Sequence, residues 1–367
     1  MIKIRSPGRI CLFGEHQDYL NYPIIAMAIS KYIYLEAKKI KDPYFKIYLP
    51  DIDEIIEIPL INKELEYKSN RDYIRSGYNQ LLRKGIVFNK GYKIKITGDI
   101  PIGAGVSSSS ALVMGWLSFL NLISKNSLNK DQLALEGYNT EVKEFNEAGG
   151  KMDFFTAIYG NLIYLHLQNK QNVLKVDIKL DGFVLGNSLE KKDTVQDLMR
   201  VKNTALEGFK VLKEIYPNFD RYKTPLNEIT PYLPNLDKYS QQVIIGNIKN
   251  RDITLQAKKL LVDNKNLLQG QTKESKKWNL FYKQLGNLLN KHHTQLDKNV
   301  GISTKKINTM IKNCLDAGAF GAKINGSGFG GTMFALFPEN EKSIKEAIEQ
   351  AGGEAYLIKT SNGVEIY

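Results

Sequence analysis

Ile100-Pro101-Ile102-Gly103-Ala104-Gly105-Val106-Ser107-Ser108-Ser109-Ser110-Ala111 is the stretch whose reading decides the fold. The alternating run Tyr92-Lys93-Ile94-Lys95-Ile96-Thr97 leads into it as a strand, and an apolar, helix-like run follows over residues 111–123. Glycines at 103 and 105 let the backbone turn tightly and approach a ligand closely. The serines at 107–110 then fall where a helix exposes unpaired N–H groups and the positive end of its dipole. Such a junction is an anion site, and its natural occupant is a nucleotide phosphate. It is not the Walker arrangement, because no Gly-Lys-Ser/Thr follows the loop. A plain glycine turn with a serine N-cap would carry the same local pattern, so the flanking sequence has to decide.

Upstream, residues 2–58 alternate like strands at Ile33/Leu35/Ala37, Phe45/Ile47/Leu49 and Ile56/Ile58, interrupted by Pro43, Pro50 and Pro59. Residues 70–84 carry helical spacing. Downstream, helices are expected at 111–124 and 130–145, a break at 148–155, and a strand at 161–167. A strand at 183–186 opens a second, largely helical half, periodic near 195–214, 251–261, 276–291 and 305–317. Short strands near 331–337, 354–359 and 363–367, with a helix at 341–350, close the chain. These patterns predict two domains, 1–180 and 181–367.

Two more clusters stand out. Ser6-Pro7-Gly8-Arg9-Ile10-Cys11-Leu12-Phe13-Gly14-Glu15-His16-Gln17-Asp18-Tyr19 sets Arg9, Glu15, His16 and Asp18 among residues that otherwise read as buried strand. Charged groups rarely enter a core unpaired, so the concentration suggests a polar pocket suited to a hydroxyl-rich ligand. An exposed polar turn is the plainer alternative. Near the other end, Gly321-Ala322-Lys323-Ile324-Asn325-Gly326-Ser327-Gly328-Phe329-Gly330-Gly331-Thr332 describes backbone that passes close to something, or else a flexible hairpin.

Composition narrows the classes. With 43% hydrophobic and 25% charged residues the chain reads as an ordinary globular protein. No segment resembles a signal peptide or has the apolar length of a membrane span, and Cys11 and Cys314 read as reduced core residues, all pointing to a cytoplasmic protein without a membrane partner. The net charge of +12 comes from lysines scattered beside acidic residues, which suits polyphosphate handling better than nucleic-acid binding. His292-His293 is not expected to hold a metal, since adjacent helical side chains diverge by about 100°.

The three clusters, in this order, resemble the GHMP kinase superfamily. Residues 103–111 are similar to its phosphate loop and residues 325–331 to its C-terminal glycine motif. Pro7-Gly8-Arg9, Gly14-Glu15-His16 and Asp18-Tyr19 are similar to the galactokinase branch in particular. The resemblance implies an α+β, two-domain GHMP kinase fold with ATP and substrate in the cleft between domains. It implies Mg²⁺ as a cofactor and a small-molecule acceptor, with galactose or a similar sugar phosphorylated at the anomeric hydroxyl. Mevalonate, another sugar, or a non-catalytic sugar-sensing role are the alternatives. Nothing in the sequence fixes an oligomeric state.

Carried over residue by residue, the resemblance makes Asp153 the catalytic carboxylate and Arg9 its partner. Glu15, His16, Asp18, Gly150 and Asp153 would bind the sugar. Gly103, Gly105, Ser107, Ser108, Ser109 and Ser110 would cradle phosphate. Glu141 and Ser109, with Ser108 as the neighbouring candidate, would ligate Mg²⁺. The chain departs from the galactokinase pattern at Met199, where a tyrosine is usual, and at Asn21-Tyr22, where a glycine pair is usual. Gly301-Ile302-Ser303-Thr304 is closer to mevalonate-type members.

Overall fold

The long N-terminal alternation forms one antiparallel pair, β1 (Ile2–Phe13) with β2 (Ile24–Lys39), in a computed structural model of the chain. The structure describes residues 1–124, 128–168, 172–176, 178–190, 195–265, 275–337, 339 and 341–367. Beyond β2 the sheet adds β5 (Tyr92–Gly98), β3 (Tyr44–Leu49) and β4 (Glu54–Pro59), and β3–β5 is the parallel pair. β6 (Leu162–His166) also pairs with β2, and β7 (Asn172–Val176) pairs with β6. In β5, Tyr92, Ile94 and Ile96 are buried while Lys93 and Lys95 are exposed, the pattern of a sheet with one face on a core.

Helices α1 (Tyr73–Arg83), α2 (Ser108–Ile123), α3 (Lys130–Tyr138) and α4 (Met152–Tyr159) cover that face. The middle of the sheet is buried on both sides. Cys11 and Ala26 belong to the helix-side core, whereas Ile10, Leu12, Ile25 and Met27 pack toward the second half. This explains why residues 10–13 are continuously apolar instead of alternating.

The second half has its own antiparallel sheet, ordered β11 (Glu354–Ile358), β8 (Phe183–Asn187), β10 (Thr332–Leu336), β9 (Gly321–Asn325). Helices α9 (Lys305–Asp316) and α10 (Glu341–Gln350) share a core with one of its faces. Helix α8 (Lys276–Gln295) packs with the residues joining the two sheets. Helices α5 (Val195–Ile215), α6 (Leu226–Ile229) and α7 (Lys238–Asp263) build a separate cluster that takes in Leu20 and Tyr22. This is an α+β architecture.

Two local expectations change, one alternative is set aside and one expected strand gains its partner. The helix expected over 130–145 ends at Tyr138 and continues as a π-helical turn, Asn139–Lys143. The break at 148–155 contains the start of α4, whose apolar residues are buried while Asp153 stays partly open. Half of the C-terminal glycine cluster is not a flexible hairpin but the fully buried strand β9. The last strand, β12 (Glu365–Ile366), pairs with β1, so the end of the chain closes the first sheet. Both cysteines are buried and free. Among the described residues, no helix is long and apolar enough to cross a membrane.

Candidate active site

Every residue expected to act lines one cavity of about 1050 Å³, bounded by elements of both halves. Its floor is the strand–loop–helix junction before α2. Gly103, Gly105 and Ser107 all have positive φ, at 66°, 85° and 62°. Ser107 therefore does not make the ordinary N-cap bond: its backbone is left-handed, its side chain caps nothing, and its buried Oγ lacks a protein partner. A buried hydroxyl left open at a helix N-terminus suits an incoming anion.

The junction is braced from two distant places. Arg9 of β1 donates Nη1–H to the Gly105 carbonyl at 2.7 Å, and Asn325 of β9 donates Nδ2–H to the same oxygen at 3.0 Å. At Gly326 (φ 81°) an added Cβ would lie 2.5 Å from that carbonyl, so only glycine permits the approach. The C-terminal glycine motif thus supports the loop from behind, and Gly326 and Ser327 also border the cavity.

The same arginine holds Asp153 in the first turn of α4. Nε and Nη2 of Arg9 reach Oδ1 and Oδ2 of Asp153 at 2.7 and 3.0 Å, a two-pronged pair. Burial works against the Arg9 cation, but Asp153 and Glu15 outweigh it and hold its pKa above the usual arginine range.

Opposite lies the polar cluster of the β1–β2 connection. Asp18 accepts from the backbone N–H of Tyr19 at 2.9 Å and of Met152 at 3.2 Å. Burial, then the charge of Asp153, raises its pKa to about 6. A Cβ on Gly150 would sit 2.0 Å from Asp18 Oδ2, so Gly150 makes room for that carboxylate. His16 bonds the Tyr19 hydroxyl and the Ser327 carbonyl, both at 3.0 Å.

Ser109, and not Ser108, meets Glu141: its Oγ donates to Oε1 at 2.6 Å. Burial pushes the Glu141 carboxyl up to about 7, opposed by the Ser109 and Ser110 hydroxyls. Its second oxygen, Oε2, is buried without a protein partner. One hydroxyl beside one under-satisfied carboxylate is a hard oxygen set, which fits Mg²⁺ completed by phosphate oxygens and water. Among the described residues no group of three or more His, Cys, Asp or Glu could hold a metal alone.

Two supporting residues escape a reading by motif. Lys323 is fully buried and donates to Glu15 Oε2 at 3.0 Å and to the Cys11 carbonyl at 2.8 Å. His292 accepts from the Gly14 N–H at 3.0 Å, and burial, then Lys323, drives its pKa well down, so it is neutral. The one available signal was a lysine inside an otherwise apolar and glycine-rich run. Of the two departures, Asn21 adopts the left-handed conformation (φ 60°) that glycine would supply, and Tyr22 is buried in the helical cluster with its hydroxyl on the Arg221 carbonyl. Leu198, adjacent to Met199, borders the cavity.

Comparison with known proteins agrees with this geometry. Residues 72–161 match the GHMP kinases N terminal domain, residues 277–355 the GHMP kinases C terminal domain, and residues 2–39 the galactokinase galactose-binding signature. The chain is 26% identical to a mevalonate kinase of Pyrococcus furiosus, over 97% of this chain and 95% of that protein. It is 25% identical to a galactokinase of the same organism, over 100% and 99%. The galactokinase of Lactococcus lactis, solved in complex with galactose, superposes with a TM-score of 0.85 at 22% identity, covering 99% of this chain and 95% of that one.

Proposed function

The chain belongs to the GHMP kinase superfamily, and we propose that it transfers the γ-phosphoryl group of ATP to the anomeric hydroxyl of galactose or a closely similar sugar. The observation that carries this reading is the Arg9 guanidinium, which binds the phosphate loop through Gly105 and both oxygens of Asp153 at once. A single rigid group thereby fixes the spacing between the nucleotide cradle and the carboxylate. Phosphoryl transfer depends mainly on such placement and on charge neutralisation.

In this mechanism the N–H groups at the start of α2 and the serine hydroxyls receive the polyphosphate. Ser109 and Glu141 would hold Mg²⁺, which when bound neutralises phosphate charge. Asp153 accepts the proton of the acceptor hydroxyl through a lone pair not used by Arg9. Arg9 pairs with both oxygens of that carboxylate and holds it oriented. Asp18, His16 and Glu15 meet the sugar hydroxyls, and burial makes any unmatched hydroxyl costly. An intact Arg9–Asp153 pair beside an open Ser109–Glu141 set favours turnover over a purely sugar-sensing role.

A mevalonate kinase activity is the second reading, favoured by relatives of that name at the same level of identity. The ion pair with Lys323 also offsets the Glu15 charge, so Asp18 carries more of the repulsion against an anionic acceptor than Glu15 does. The test is kcat/KM for galactose, 2-deoxygalactose, galactosamine, glucose and mevalonate on one preparation. Galactose is expected to lead. A clear preference for mevalonate would overturn the acceptor assignment and leave the kinase reading standing.

A further inference from the structure

Behind the acceptor wall, β1 departs from its ladder with β2 between Cys11 and Phe13. Two side chains from β9 bond the Cys11 backbone at this point. Asn325 Oδ1 accepts from the Cys11 N–H at 2.9 Å, and Lys323 Nζ donates to the Cys11 carbonyl at 2.8 Å. They are two residues apart on the strand and so share a face. The Lys323 ammonium reaches Glu15 Oε2 at 3.0 Å and lies over the Phe334 ring, 5.1 Å from its centroid. Neither partner of the ion pair is more than 3% exposed in its side chain. Glu15, however, borders the cavity.

A fully buried lysine is rare unless a specific partner requires it. Apolar packing could have joined β9 to β1 without removing an ammonium from water. We infer that Lys323 is a positioning residue for the acceptor site: it fixes the orientation of Glu15, so that the carboxylate meets a neutral polyol in one geometry. This inference rests on the proposed sugar acceptor. It places a specificity element in the second half of the chain, 308 residues from the carboxylate it controls. Because Asn325 on the same strand face also holds Gly105, β9 connects the acceptor wall to the phosphate loop.

A purely architectural lysine would affect everything alike, and a double-mutant cycle separates the two roles. Lys323→Met, Glu15→Gln and the combined variant are compared with wild type by KM for galactose, KM for ATP, kcat and melting temperature. In the Glu15 background Lys323→Met is expected to raise the galactose KM by about 100-fold, the scale of a lost charged hydrogen bond. In the Glu15→Gln background the same change is expected to raise it less than about threefold, with ATP KM moving less than about threefold in both. The combined variant should recover melting temperature lost in Lys323→Met, since the unpaired buried carboxylate is gone, while galactose KM stays high. If Lys323→Met does not give folded protein, Lys323→Arg replaces it in the cycle, with an expected rise of about tenfold in the Glu15 background only. Equal effects in both backgrounds, or parallel shifts in the KM of ATP and galactose, overturn the inference alone. A wild-type enzyme that phosphorylates no sugar overturns it together with the proposed acceptor.

Discussion

The two walls of the cavity are built by opposite means. The phosphate side is made of backbone: positive-φ residues at 103, 105 and 107, then the open end of α2, all within a few positions of one another. The acceptor side is made of side chains brought together from far apart, with Arg9 and Asp153 separated by 144 residues and Glu15 and Lys323 by 308. Backbone amides bind any phosphate and tolerate variation in the side chains around them. Paired side chains are specific but fragile, because removing one partner strands the other in a dry site. Catalytic and acceptor selectivity should therefore break more sharply on substitution than nucleotide binding does.

Asp153→Asn is the most severe test of that contrast. The amide keeps the shape but accepts no proton and loses the ionic half of its pairing with Arg9. kcat is expected to fall by at least about 10³-fold, on the scale of a lost general base and its electrostatics. ATP affinity, measured by calorimetry, is expected to stay within a few-fold of wild type. Turnover near the wild-type rate would remove Asp153 from the chemistry.

Next in size is one substitution made at two glycines. Gly150→Ala drives a methyl group into the Asp18 carboxylate, with 2.0 Å to Oδ2 and 2.1 Å to Cγ, so the carboxylate must swing away from the Met152 N–H. The acceptor KM is expected to rise about 100-fold, as for a misplaced polar contact in a buried site. Gly103→Ala adds a methyl group that meets nothing within 4 Å and strains only a left-handed residue. That costs about 1 kcal/mol and should change the ATP KM only a few-fold. Equal losses from the two variants would erase the distinction between the walls.

Ser109→Ala probes the place where the walls meet. Its hydroxyl is the one bonded to Glu141 Oε1, and its loss leaves that buried carboxylate with fewer partners. Activity is expected to drop about tenfold, the scale of one charge-assisted bond, and to recover in part as Mg²⁺ is raised. Ser108→Ala serves as the control and is expected to have a smaller effect. A Ser109→Ala loss that Mg²⁺ does not relieve would separate this serine from metal binding.

The phosphate wall was legible in the sequence because its information is local. Strand alternation at 92–97, the glycine–serine loop and the apolar run after it lie within about thirty positions, and β5 and α2 form where the pattern places them. The acceptor wall was legible in its residues but not in its support. Nothing in the periodicity around 321–325 shows that Lys323 pairs with Glu15, because that contact exists only once two sheets have packed. Helix α4 was hidden because it is a short helix, Met152–Tyr159, that begins directly behind the Gly149-Gly150 pair, which reads as a break. The π-helical turn that carries Glu141 keeps helical spacing almost unchanged, so it reads as more helix.

Asp18 supplies the mildest test, where stability and recognition should move in opposite directions. Burial and the Asp153 charge raise its folded-state pKa to about 6, above an unfolded value of about 3.9. Between those values the folded state holds the proton more tightly, so this group's contribution to stability falls as pH rises from about 4 to about 6 and stays low above that. At pH 7.5 the buried carboxylate therefore costs about 3 kcal/mol relative to its protonated form, a balance in which its two backbone N–H donors are already included. Asp18→Asn removes the charge but leaves one of the N–H groups of Tyr19 and Met152 without its acceptor. The net gain at pH 7.5 is expected to be small, about 1–2 °C in melting temperature, and to vanish or reverse at pH 4.5, where the wild-type carboxyl is already protonated. The acceptor KM of the wild type should rise as pH drops below about 6, because protonation turns an acceptor-only group into a donor. In Asp18→Asn that pH dependence should flatten at a uniformly weaker level. A melting-temperature loss of the same size at both pH values would mean that Asp18 is held by its hydrogen bonds alone, and that the acceptor wall carries no stored charge for a sugar to meet.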